Sequence, residues 1–181
     1  MSAGQWLAFM ADGLHSKRLS LDTNVLLDIA ARRDFAVGFK DAFQARGYGL
    51  YFAPTVAAEL NNLSEKGDDQ ERDRAGKALD SLILWDIAPM ILTDVEKKYR
   101  ANFMTFVEDR SILPAGERND ARILAETAIA QIPMLITSDR GILEADGVAL
   151  AMAFEDAGLH QVRFASPRAL WKSYGRTAPR K

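Results

Sequence analysis

Four acidic residues, Asp22, Glu59, Asp120 and Asp139, stand where an α/β protein does not ordinarily leave a bare carboxylate. Asp22 ends the apolar run Leu19-Ser20-Leu21, and Asp139 follows Met134-Leu135-Ile136-Thr137-Ser138. Both positions read as the carboxyl ends of buried strands, the edge at which open parallel sheets set their ligands. Asp120 opens an amphipathic helix. Glu59 lies one turn into another helix, beside the stripe formed with Val56 and Leu63. If these elements pack side by side, four carboxylates share one spot. Such a cluster repels itself, and its pKa values rise unless cations neutralise it. Oxygen-only donors suit Mg²⁺ or Mn²⁺ rather than zinc or copper. The chemistry this points to is metal-dependent phosphoryl transfer.

Each acid also has a purely structural explanation. Asp22 can cap the helix that begins near Val25, a role Asn24 fills equally well. Asp120, with Asn119 as a cap, is an acid in a first helical turn, which the helix dipole favours by about 0.3–1 kcal/mol. Asp139, in Thr137-Ser138-Asp139-Arg140-Gly141, suits an ordinary turn. Glu59 resists that treatment. With Thr55 as N-cap, a capping box wants its acid at position 58, where Ala58 stands. Asp28 reads as lying on the exposed side of its helix, and Glu117 as a solvated residue ahead of Asp120 or an outer ligand. His15 and His160 read as surface groups, and two histidines so far apart make no zinc site.

The elements that must position these acids alternate between strand and helix. Strands are expected over Lys17–Asp22, Tyr48–Ala53, Asp86–Thr93 (at an edge or bent, because of Pro89), Met134–Ser138 and Val162–Ala165. Helices are expected over residues 1–16, from Asn24 to about Arg46, over Val56–Lys66, Asp68 to about Leu84, Asp94–Arg110, Asn119–Gln131 and Val148–Ala157. A loop or short helix covers Arg140–Ala145. This order predicts an α/β fold, a three-layer α/β/α sandwich with a mainly parallel central sheet and a Rossmann-like layout. No glycine-rich phosphate loop follows any strand, which argues against a nucleotide cofactor. The domain division reads as a helical extension over 1–16, a nuclease-like domain over 17–167 and a basic tail over 168–181.

The absence of cysteine removes disulfides, thiolate metal sites and cysteine nucleophiles from consideration. No apolar stretch reaches the ~18 residues of a membrane span, and the N-terminus lacks the early positive charge of a signal peptide. A cytoplasmic location is the expectation. The net charge of −2 is unevenly spread: all 25 acidic residues precede His160, and six of the 23 basic ones follow it. A basic tail on an acidic body suits a polyanion, an acidic partner or plain solvation. Trp171 and Tyr174 there could stack on bases or anchor the tail.

The motifs Leu21-Asp22-Thr23-Asn24-Val25-Leu26-Leu27, Pro54-Thr55-Val56-Ala57-Ala58-Glu59-Leu60, Asn119-Asp120-Ala121-Arg122-Ile123 and Leu135-Ile136-Thr137-Ser138-Asp139-Arg140 occur in that order. The set resembles the pattern of PIN-domain ribonucleases over roughly residues 17–165, and within that family the VapC-like toxins of toxin–antitoxin pairs. The resemblance implies Mg²⁺- or Mn²⁺-dependent cleavage of RNA to 5′-phosphate and 3′-hydroxyl ends. It casts Asp22, Glu59, Asp120 and Asp139 as the catalytic, metal-holding quartet, with Asn24 and Thr137 as polar supports. Arg140 or the basic tail would hold the RNA backbone. The partners it implies are an RNA substrate, an antitoxin protein that places a basic side chain among the acids, and a homodimer. The extensions at both ends and the helical insertion between Asp68 and Arg110 depart from a minimal toxin. A non-toxin RNA-processing nuclease, or a non-catalytic RNA- or protein-binding module, is therefore the alternative. An aspartyl-phosphate phosphatase would want an acid two residues after Asp22, and Asn24 is there instead.

Overall fold

The computed structural model describes residues 17–114 and 116–175. The helix expected over residues 1–16 lies outside that range, as do Arg176, Arg180 and Lys181 of the tail. Five strands, β1 (Arg18–Leu21), β2 (Gly49–Phe52), β3 (Ile87–Pro89), β4 (Met134–Ile136) and β5 (Arg163–Ala165), form one sheet in the order β3-β2-β1-β4-β5. Every neighbouring pair is parallel. The central strands are mostly buried because both their faces are covered: all three residues of β4 are buried, and three of four in β1, Ser20 among them. The edge strand β3 buries only Ile87 and closes on Pro89, whose missing N–H costs nothing at an edge.

Between the strands run α1 (Thr23–Ala30), α2 (Asp34–Gln44), α3 (Pro54–Lys66), α4 (Asp69–Ser81), α5 (Asp94–Asp109), α6 (Arg118–Ile129), α7 (Arg140–Leu143) and α8 (Gly147–Asp156), with α9 (Pro167–Gly175) after β5. The chain steps outward from β1 to β2 and β3, then crosses back to β4 and β5. Right-handed crossovers send the helices of the two journeys to opposite faces, giving three layers. The reversal falls between β1 and β4, so the crevice beyond their carboxyl ends is the sheet's topological switch point. Asp22 and Asp139 follow those two strands.

One long helix from Asn24 to Arg46 is not what the chain forms. It breaks after Ala30, and Arg32 takes a left-handed conformation with φ 53°. No glycine or proline marks the break. Packing sets it instead: α1 buries Val25, Leu26 and Ile29, whereas α2 buries Ala36, Phe39 and Phe43 and carries α9 on its outside. Gly38 makes that second contact close, since a Cβ there would sit 2.9 Å from the Trp171 indole. Trp171 therefore anchors α9 to its own domain. Thr55 is not the cap of α3. Ala53 occupies the cap position, with Pro54 in the first turn. Asp68 and Thr93 each head capping boxes with Glu71 and Glu96. Among the described residues, no helix is long and apolar enough to cross a membrane.

Candidate metal centre

Asp22 lies one residue beyond β1, and its backbone N–H bonds the Ile136 carbonyl at 3.0 Å, continuing the β1–β4 ladder. Its carboxylate is buried and held on both oxygens. One accepts the Thr23 N–H at 2.7 Å, capping α1, and the other accepts the Thr137 hydroxyl at 2.6 Å and the Asn24 amide at 2.7 Å. A carboxylate offers about four lone-pair directions, so three bonds leave it one for a ligand. The capping role therefore leaves room for a ligand on this carboxylate. Burial, with Glu59 and Asp139 nearby, pushes its pKa up to about 6 against the pull of those hydrogen bonds.

Asn24 and Thr137 do more than touch Asp22. Asn24 Oδ1 accepts the Ser138 N–H at 2.9 Å, and Thr137 Oγ1 accepts the Asp139 N–H at 2.9 Å. The two side chains thus strap the start of α1 to the turn after β4. Asp139 caps α7 by accepting the Ile142 N–H at 3.2 Å. Thr23, which sequence reading passed over, donates its hydroxyl to Glu59 on α3. Its only sequence signal was its place between Asp22 and Asn24.

Asp120 lies in the first turn of α6, where the helix dipole favours an acid. Its side chain makes no hydrogen bond or ion pair among the described residues, and neither it nor Asn119 caps α6, whose cap position is Glu117. Partial burial pushes its pKa up to about 7, helped by the negative fields of Asp22, Asp139, Glu117 and Glu59. All four expected acids thus act on one another. The tightest group differs from the expected quartet, however: carboxylate oxygens of Glu117, Asp120 and Asp139 lie within 4.8 Å of one another, and Asp22 and Glu59 fall outside that trio.

Glu117 is accordingly not a solvated bystander. Its Oε2 is buried without a hydrogen-bond partner, and its pKa is raised by desolvation and by Asp139. The carboxylate fills the space over Gly141, where a Cβ would stand 2.2 Å from Oε2. An orphaned buried oxygen beside two other carboxylates, with no nitrogen or sulfur donor in the group, fits a hard divalent cation such as Mg²⁺ or Mn²⁺. Asp28 also departs from expectation. It is half-buried, pairs with Arg33 at 3.4 Å, and its pKa is raised by burial. His160 is exposed, as read.

The helices bearing Glu59 and Asp120 are fastened by a second set of residues. Glu126 of α6, fully buried, accepts the Thr55 N–H at 3.0 Å and its hydroxyl at 2.9 Å, and pairs with Arg100 of α5. This ties α3, α5 and α6 together behind the acids. Removing the carboxylate leaves Arg100 and the start of α3 unpaired in the interior. Glu126→Ala is therefore expected to destabilise the fold by roughly 3–5 kcal/mol. Urea denaturation measures this, and an unchanged midpoint would show the tie to be incidental.

The fold and the site together describe a parallel α/β/α protein with an acidic cluster at its switch point. That is the fold the PIN resemblance implies. No family profile matches the sequence, and no curated protein is detectably similar to it. Solved structures carry the likeness instead. The chain is similar to one in VapBC2 from Rickettsia felis bound to a DNA fragment from their promoter, at 16% identity over 82% of this chain and 98% of that one, with a TM-score of 0.57. It is similar to FitAcB from Neisseria gonorrhoeae at 17% identity over 82% and 97%, TM-score 0.51. VapBC-1 from nontypeable Haemophilus influenzae follows at 13% identity over 83% and 98%, TM-score 0.50.

Proposed function

We propose that this protein is a divalent-metal-dependent endoribonuclease and the toxin of a toxin–antitoxin pair. The observation that carries the nuclease reading is the convergence of carboxylate oxygens of Glu117, Asp120 and Asp139 within 4.8 Å of one another, with Asp22 and Glu59 close enough for their charges to act on Asp120. The toxin reading is supported by the likeness in fold to the VapBC and FitAB complexes. Bound among these oxygens, a divalent ion supplies a Lewis acid that acidifies water and neutralises charge developing on a phosphoryl oxygen. Asp120, Asp139 and Glu117 would hold it, with Asp22 and Glu59 completing the negative field.

The chain's own residues explain why the geometry suits such a role. The Thr137 hydroxyl and Asn24 amide fix the plane of Asp22, so its remaining lone pair points one way without loss of rotamer freedom on binding. Thr23 does the same for Glu59. Asp120, whose side chain makes no hydrogen bond or ion pair among the described residues, can rotate to meet a ligand.

The test is cleavage of a labelled RNA by purified protein with Mg²⁺ or Mn²⁺, lost on chelation and restored by the metal. Induction in cells should arrest growth for the wild type and not for Asp120→Asn. Purified protein that never cuts RNA with either ion would overturn the nuclease reading. RNA cleavage without growth arrest would leave a processing nuclease in place of a toxin. An antitoxin would be a protein that covers the acids with a basic side chain, since an arginine fork matches paired carboxylates.

A further inference from the structure

Next to the acidic cluster lies a cavity of opposite sign. It measures about 420 Å³ and is lined by Asp28, Arg33, Phe35, Ser138, Arg140, Ser166 and Arg168. The lining holds three arginines and one aspartate. Asp28 engages Arg33 at 3.4 Å and also lies in the field of Arg168, and this one carboxylate leaves a positive excess on Arg140 and Arg168. Neither of those two side chains makes a hydrogen bond or ion pair among the described residues. Arg168 is instead held by stacking, its guanidinium carbon 4.4 Å from the centre of the Phe35 ring.

Its position is as informative as its charge. Ser138 and Arg140 flank Asp139 in the chain, and the Ser138 N–H is held by Asn24 at 2.9 Å, so the wall of this cavity is the outer side of the strap around Asp22. The far wall is Ser166 and Arg168, at the start of α9, where the helix's positive end adds to the field. With one carboxylate among three arginines, the lining keeps a net positive charge even though Arg168 also acts on Asp28. The planar forks of Arg140 and Arg168, with two serine hydroxyls between them, suit a tetrahedral oxyanion.

We infer that this cavity is a phosphate subsite for the RNA strand, holding a backbone phosphate beside the one presented to the acids. The inference deepens the nuclease reading and rests on it. It accounts for how an acidic body can take a polyanion. With all 25 acidic residues before His160, the approach of RNA to the carboxylate cluster is repulsive unless cations flank it. The metal would supply one such charge, and Arg140 with Arg168 supply the next along the strand. Phe35 sets the Arg168 fork in advance, so little side-chain freedom is lost when phosphate binds. Arg168, the first residue of the expected basic tail, would share with Arg140 the RNA-holding role expected of that tail.

The experiment measures binding of a labelled single-stranded RNA by fluorescence anisotropy. Full-length Asp120→Asn protein, which should not cut, serves as the parent. Adding Arg140→Gln and Arg168→Gln should weaken binding roughly tenfold or more. The plot of log affinity against log salt should become shallower by about 1.4, the value for two lost contacts to a single strand. Arg168→Lys should restore part of the slope, and thermal unfolding should confirm that each variant is folded. Unchanged affinity and slope in the folded double variant would overturn the subsite, and so would lost affinity with an unchanged slope. Preference of the cavity for a glutamate-rich peptide over RNA would also overturn it. If the arginines prove necessary for RNA binding but wild-type protein never cuts with any divalent ion, the subsite stands and the nuclease reading falls. Cleavage by the wild type with arginine-independent binding does the reverse.

Discussion

Asp120→Asn is expected to remove RNA cleavage and, in the absence of metal, to make the protein more stable than the wild type. Both effects come from one carboxylate. Among the described residues Asp120 makes no hydrogen bond that an amide would spoil, yet it sits in the negative fields of Asp22, Asp139, Glu117 and Glu59. The amide keeps the shape and removes the repulsion. After allowing for solvent screening at this partly exposed group, the gain near pH 8 is on the order of 1–2 kcal/mol, or roughly 2–8 °C in melting temperature. Loss of one donor from a hard-cation site should lower the cleavage rate by roughly 10³-fold or more. Asp22→Asn should also abolish cleavage, but with a different stability outcome. There the new amide nitrogen must meet either the Thr23 N–H or the Asn24 Nδ2, and each of those is a donor. Nuclease assays and thermal unfolding in chelator test the pair. An Asp120→Asn protein that cuts at the wild-type rate would remove Asp120 from the site.

The contrast between these two aspartates shows what the sequence could reveal. Asp22 and Asp139 were legible because a run of buried apolar residues followed by an acid marks the end of a central strand. The alternation of strands with helices then put both at the same edge of a parallel sheet. Glu117 was not legible in that way. It precedes the periodic part of α6, and the space it occupies exists only because Gly141, far along the chain, lacks a side chain. The Thr55–Glu126–Arg100 tie was invisible for a related reason: it joins residues from three helices, and local patterns made Thr55 look like a cap. The break at Arg32 left no glycine or proline to read, because tertiary packing of Phe39 and Phe43 decides it. Likewise Arg140 and the tail were readable as cations, but not that Arg168 and Arg140 would line one cavity.

The pH dependence of stability should invert when metal is added. In the folded chain Asp22 titrates near 6 and Asp120 near 7, both above the 3.8 of an unperturbed aspartate. Between these limits the folded protein holds protons that the unfolded chain has released, so stability falls as pH rises through the window from about 4 to 7. Metal-free protein should melt lower at pH 8 than at pH 5, by an amount on the order of a few kcal/mol in stability. A divalent ion competes with those protons, because it binds only the ionised carboxylates. Its stabilising effect should therefore be small at pH 5 and large at pH 8, about 2.7 kcal/mol when the ion is at ~100 times its dissociation constant. Glu117 separates the site proper from a general response to ionic strength. Glu117→Gln keeps the shape over Gly141 but lowers the donor charge, and should shift the metal titration to roughly tenfold higher concentration or more. Thermal unfolding at pH 5 and pH 8, with chelator and then with rising Mg²⁺ or Mn²⁺, reads all of this. A metal-free protein that gains stability between pH 5 and pH 8 would contradict the clustering of the acids. Equal metal stabilisation of Glu117→Gln and wild type would take Glu117 out of the centre while leaving the other carboxylates in it.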